Sequence, residues 1–191
     1  MSDFVRQMSL TGEERIIDLG GTARFWADCT VPLDITIVNL PGGREEDPVP
    51  PQHTITLIDG DACSLPEFQD MSFDIAFSNS VIEHVGPPPQ QEALAREAHR
   101  LAPRHWVQTP SIWFPIEAHT MMPFWWFYPS PMKQAIMSGW RRKLPAWTEM
   151  IDGTTVLSHS DIVRLFPNSR VMTEYVLGFP KSYIAYQATR P

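Results

Sequence analysis

Apolar residues recur along this chain in short dense runs, each closed by turn-forming residues. Arg15 to Leu19 carries Ile16, Ile17 and Leu19 and ends on Gly20-Gly21, which predicts a buried strand entering a tight turn. Residues 22–30 read as a short helix ended by Pro32, and Asp34 to Asn39 (DITIVN) as a β-branched second strand. His53 to Ile58 alternates Ile55 and Leu57 with Thr54 and Thr56 and makes a third strand; Ser72 to Asn79 makes a fourth. Gln90 to Leu101 places Leu94, Ala98 and Leu101 on one helical face, and His105 to Thr109 follows as a fifth strand. Ser158 to Phe166 opens with Ser158 and Asp161 at capping-box spacing and sets Ile162, Leu165 and Phe166 on one face. Two closing strands are expected near Arg170 to Val176 and Tyr183 to Gln187.

Strands alternating with helices predict an α/β protein with a seven-stranded, mostly parallel sheet and helices on both faces. In such sheets ligands sit beyond the carboxyl ends of the strands. Four places qualify: the Gly20 turn, Asn39, Asp61 and Asn79. Two segments break the alternation. Residues 41–52 (PGGREEDPVPPQ) hold four prolines and two glycines and cannot form a regular helix. Residues 111–150 concentrate Trp113, Trp125, Trp126, Trp140 and Trp147 with Phe114, Phe124, Phe127 and Tyr128, and are read with their flank, to about residue 156, as a cap inserted after the fifth strand.

At 191 residues and 43% hydrophobic content the chain is expected to be a single domain spanning 1–191 with one substantial core. A net charge of −7 offers little general attraction to phosphate backbones, so no nucleic-acid partner is expected. Cys29 and Cys63 cannot build a disulfide framework, the leader carries no secretory pattern, and no apolar stretch approaches the length of a membrane span, so a cytoplasmic location is expected.

Four motifs, in order, resemble the class I S-adenosylmethionine-dependent methyltransferases, specifically the small methyltransferase-domain (type 11-like) group. Arg15-Ile-Ile-Asp-Leu-Gly-Gly-Thr is similar to the family's first motif, although Thr22, Ala23 and Arg24 stand where a further glycine is usual. Asn39 occupies the end of the second strand, where the family usually has a carboxylate; an amide still accepts one hydroxyl and donates to another. Gly60-Asp61-Ala62 with Leu65-Pro66 resembles the adenine-binding turn, and Phe73 to Val85 resembles the fourth strand and the helix start behind it. The likeness covers about 15–110 and returns at 157–188, and it implies a Rossmann-like fold. It also implies S-adenosyl-L-methionine as cofactor, held by Asp18, Gly20, Gly21, Asn39, Leu40, Asp61, Ala62, Asn79 and Ser80. The short leader and the proline-rich 41–52 depart from the family and predict an open cofactor site.

Methyl transfer to a hydroxyl requires alignment and a proton acceptor. His84, near the start of the helix after the fourth strand, and His119, with Glu117 two residues before it, are the candidate bases. His159 reads as a helix-start residue, and His53, His99 and His105 as surface or strand-end residues. Asp59 and Asp61 lie close together, but no His or Glu cluster completes a metal site around them, so no metal is expected. Trp113, Trp125 and Trp126 are candidate acceptor contacts, since aromatic faces stack on sugars and flat rings. Arg141, Arg142 and Lys143 offer a run that either holds an anionic group or is a solvated face. The function expected is O-methylation of a small molecule, a sugar or a lipid-linked glycan. The alternative is a non-catalytic, cofactor-sensing or interaction protein whose aromatic belt is a docking surface; a third reading is an enzyme that sits on a membrane surface through Phe124-Trp-Trp-Phe127, and a homodimer contact through the aromatics is also open.

Overall fold

A computed structural model describes residues 1–43, 48–117 and 119–189. The strands are β1 (Arg15–Leu19), β2 (Asp34–Asn39), β3 (Thr54–Asp59), β4 (Ile75–Asn79), β5 (Arg104–Pro110), β6 (Arg170–Val176) and β7 (Phe179–Gln187). The helices are α1 (Ser2–Met8), α2 (Pro88–Leu101), α3 (Ser130–Arg141), α4 (Pro145–Gly153) and α5 (His159–Leu165). The sheet runs β3-β2-β1-β4-β5-β7-β6; β1 to β5 are mutually parallel, and β7 returns antiparallel between β5 and β6. The expected Rossmann-like α/β sheet is therefore present, with an antiparallel end. That end is a tight hairpin whose two turn residues, Leu177 and Gly178, both take positive φ.

Each face of the sheet is covered. On one face α2 and α5 bring Leu94, Ala98, Leu101, Ile162 and Phe166 onto Ile17, Ala76, Val107 and Ala185. On the other, Phe4 and Met8 of α1 and Trp26 of a 3-10 turn at Ala23–Asp28 pack on Ile16, Ile37, Phe77 and Trp106. Phe4 meets Phe77 edge-on at 4.9 Å and Trp106 at 5.5 Å. The short leader thus holds a helix that closes the core. Seven residues with only three apolar positions are too few for periodicity to declare a helix.

Beyond β5, the cap holds a satellite cluster of Trp125, Met137 and Ile151, with Trp140 and Trp147 packed against it. Its helices α3 and α4 start at Ser130-Pro131 and Pro145. Proline is tolerated there because the first helical N–H groups have no intrahelical acceptor in any case. Of the proline-rich segment 41–52, residues 44–47 lie outside the described residues; none of the others is helical. Edge strand β3 is correspondingly exposed, with Leu57 at 36%. No helix among the described residues is long and apolar enough to cross a membrane.

Candidate active site

Two adjoining cavities open at the carboxyl ends of the parallel strands. The larger, about 410 Å³, is lined by Gly20, Asn39 and Leu40, by Gly60, Asp61 and Ala62, and by Ser80, Val81 and His84. This is within the usual size of a small-molecule site. Gly20 turns with φ +88°, and a Cβ there would stand 2.7 Å from Val81 Cγ1, so the turn and the cavity wall both require glycine. Asn39 donates from Nδ2 to the Gly21 carbonyl at 3.0 Å, which aims the side chain and leaves its oxygen as an acceptor. Asp61 Oδ1 accepts from the Cys63 N–H at 2.9 Å, an Asx-type turn that leaves Oδ2 for a ligand.

The second cavity, about 260 Å³, lies under the cap and is lined by Gln108, Ser111, Phe114, Ile116, Glu117, Met121, Trp126, Lys181 and Ser182. Ser80 borders both cavities. It holds a left-handed backbone, φ 57°, fixed by its N–H donating to the Gln108 carbonyl at 3.0 Å. A serine in this conformation stores strain at the junction of the two spaces.

Three more residues stand where the cavities meet. His119 Nδ1 contacts Glu117 Oε1 at 2.7 Å, and its Nε2 lies 3.0 Å from His84 Nε2, with the rings perpendicular. His84 Nδ1 is held by Thr154 Oγ1 at 3.1 Å. Burial pushes the Glu117 carboxyl upward, but the His119 ring and the N–H groups of Thr120 and His119 outweigh it and bring the pKa to about 2. The same Glu117 bond raises the His119 pKa above its ordinary value. Burial, with the neighbouring His119 charge, lowers His84 to about 4. Beneath them Glu83 has no exposed surface; Thr109 Oγ1 donates to its Oε2 at 3.0 Å, its Oε1 has no hydrogen-bond partner among the described residues, and burial raises its pKa to about 7.

Not every expected residue reaches these cavities. Asp18 is fully buried under Gly21, accepting from Trp26 Nε1 at 2.8 Å, and Gly21 and Asn79 also lie outside the larger cavity's lining. Trp126 lines the second cavity, Trp125 is core of the cap at 2% exposure, and Trp113 is exposed with its ring 5.3 Å from Phe127. Arg141 pairs on the surface with Asp152 at 3.1 Å. His53 and His105 are buried, not superficial: His53 Nε2 meets the Trp26 carbonyl at 2.9 Å, and His105 Nε2 meets Ser169 Oγ at 2.6 Å. Both belong to strand-end positions that the sheet covers. His159 begins α5 and meets Tyr183 edge-on at 5.4 Å. Gln108, Ser111, Lys181 and Ser182 carried no sequence signal; the antiparallel pairing of β5 with β7 brings them together under the cap. Glu83 lay within the Phe73–Val85 likeness without being singled out, and Thr154, just beyond α4, carried no signal.

Residues 21–104 match the model of the methyltransferase domain family. The fold is that of the class I S-adenosylmethionine-dependent methyltransferases. Among solved structures, a candidate methyltransferase from an antibiotic biosynthesis pathway of Anabaena variabilis aligns at TM-score 0.57 and 15% identity, over 92% of this chain and 63% of its own. An O-methyltransferase family protein from Burkholderia thailandensis aligns at 0.53 and 10% identity, over 98% and 56%. A SAM-dependent methyltransferase from Aquifex aeolicus aligns at 0.52 and 10% identity, over 97% and 87%. The chain thus spans less than two thirds of the length of the first two. No curated protein matches it in sequence. The residues of the larger cavity fit S-adenosylmethionine: a Cβ-free approach at Gly20, an acceptor oxygen at Asn39 and a second carboxylate oxygen at Asp61.

Proposed function

We propose that this protein is an S-adenosylmethionine-dependent methyltransferase acting on an oxygen of a small molecule, a sugar or a lipid-linked glycan. The observation that carries the reading is the meeting of two cavities at Ser80, one built like a cofactor cleft and one apolar under an aromatic cap, with Glu117, His119 and His84 beside the junction. When bound, the cofactor supplies an already activated methyl group. Gly20, Asn39, Leu40, Asp61, Ala62 and Ser80 hold it. Phe114, Ile116, Met121 and Trp126 give the acceptor flat and apolar surface, and Gln108 offers it hydrogen bonds, while Ser111 and Ser182, whose hydroxyls donate to Tyr183 and Glu174, are left as acceptors. Nothing in that lining selects for an anion except Lys181, which is already paired with Glu174 at 3.2 Å, so an uncharged acceptor is favoured.

Glu117 orients His119 with Nε2 toward His84, and the resulting Glu117–His119–His84 relay is the group that takes the acceptor's proton. Asp18, Gly21 and Asn79 support the turn and strand from behind; Trp125 supports the cap.

Calorimetric titration of S-adenosylmethionine and its demethylated product tests the first step, with Asp61→Ala as control. Micromolar binding that weakens at least tenfold in the control is expected. Heat with neither ligand would reject the reading and leave the interaction-protein alternative. Methyl incorporation into a panel of glycan and phenolic acceptors then tests the acceptor class.

A further inference from the structure

We propose that Glu83, His84 and His119 form a binding site for one divalent transition-metal ion of the zinc type, at the wall between the two cavities. One ligand atom from each of the three lies within 4.8 Å of the others. His84 Nε2 stands 3.0 Å from His119 Nε2 and 3.9 Å from Glu83 Oε1. Two bonds of about 2.0–2.2 Å reach at most about 4.4 Å, so one ion spans the 3.0 and 3.9 Å separations as they stand, and the third pair, within 4.8 Å, needs a side-chain shift of at most a few tenths of an ångström. Two imidazoles and a carboxylate are a donor set suited to zinc and its first-row neighbours, and three protein ligands leave a position open.

Two further observations point to a ligand here. Glu83 has no exposed surface, and its Oε1, on the side of His84, has no hydrogen-bond partner among the described residues, although Oε2 is satisfied by Thr109. A buried carboxylate oxygen left unpaired is costly, and a cation would satisfy it. Both histidines are also gripped by their outer nitrogen: Glu117 holds Nδ1 of His119 at 2.7 Å and Thr154 meets Nδ1 of His84 at 3.1 Å. This fixes each ring with Nε2 inward, the arrangement by which outer partners orient metal-ligating histidines. Without an ion the two facing lone pairs oppose each other until they take up a proton between them; with an ion both lone pairs are used, and the ion-bound oxygen replaces the histidine pair as the site of proton loss.

His84 lines the larger cavity and Glu117 the smaller, so an oxygen taking the open position would stand between cofactor and acceptor spaces. An ion there lowers the pKa of that oxygen. That catalytic use rests on the methyltransferase reading; the binding of metal does not.

The test is calorimetric titration of zinc chloride alone into chelator-stripped full-length protein, with cobalt(II) visible absorption as a second readout. One equivalent is expected to bind, with a tetrahedral-type cobalt spectrum. His84→Ala and Glu83→Gln should lose at least 100-fold in affinity, Glu117→Gln about 10–100-fold, and magnesium, which favours oxygen donors, should not compete. Thermal unfolding checks that each variant is folded, and Glu117→Gln, outside the ligand set, serves if the buried Glu83 variant is not. Absent or weak binding, or affinity unchanged across the variants, overturns the metal site. Retention of S-adenosylhomocysteine binding by the stripped protein in that case leaves the methyltransferase reading standing, whereas zinc binding without cofactor binding rejects that reading alone.

Discussion

Asp18 lies beneath Gly21 with no exposed surface and, among the described residues, a single donor, Trp26, so burial holds its pKa up at about 7 against that bond's opposing pull. The native state therefore keeps the proton that the unfolded chain gives up near 3.8. The associated stability is complete below the unfolded value and is lost as pH rises through about 7. Asp18→Asn cannot ionise, so its melting temperature relative to the wild type should climb between pH 5 and pH 8; a gap independent of pH would refute the assignment. Glycine at position 20 carries a different demand. Alanine there meets both a positive φ and Val81, which together cost about 2–4 kcal/mol, measurable by denaturant unfolding. The chemistry of these two positions was only half legible in the sequence: the glycine pair announced the turn, but nothing in Arg15 to Thr22 says that Asp18 faces inward to Trp26 and not into the cleft.

At the scale of elements, β1 and β2 agree residue for residue with the apolar runs that predict them, because strands buried on both faces need continuous branched side chains. The cap helices were hidden by their own prolines, which read as breakers in sequence but stand at helix starts in α3 and α4. The Glu83–His84–His119 group was illegible for another reason: its members come from segments 35 residues apart that meet only when the cap folds back over β4. The late helix was legible from its cap. Ser158 Oγ accepts from the Asp161 N–H and Asp161 accepts from the Ser158 N–H at 3.0 Å, closing both ends of the box. α5 has only seven residues, too few to persist without tertiary contacts and caps. Ser158→Ala should therefore lower stability by about 1 kcal/mol in urea unfolding, and a loss below a few tenths would show that packing of Ile162 and Phe166 alone holds the helix.

For the whole molecule, the division of labour between sheet and cap yields the sharpest test. The larger cavity is built from the ends of β1 to β4 and the loops behind them, the smaller from β5, β7 and the cap, and Ser80 is the residue they share. A ligand of the first cavity stabilises the fold by its own mass action, about 2.7 kcal/mol at a hundred times Kd. Because Trp126 touches only the second cavity, Trp126→Ala should leave the thermal shift produced by S-adenosylhomocysteine unchanged while raising the acceptor KM about tenfold or more, as expected for the loss of a stacking surface. Asp61→Ala should do the reverse, cutting the thermal shift and leaving acceptor KM near its wild-type value at saturating cofactor. Ser80→Gly, which removes the strain at the junction, should be neutral or stabilising on its own yet lower kcat, because a freed backbone no longer holds the two cavities in register. If Trp126→Ala and Asp61→Ala instead move both quantities together, the two cavities are one binding site, and the assignment of cofactor to the sheet and acceptor to the cap falls.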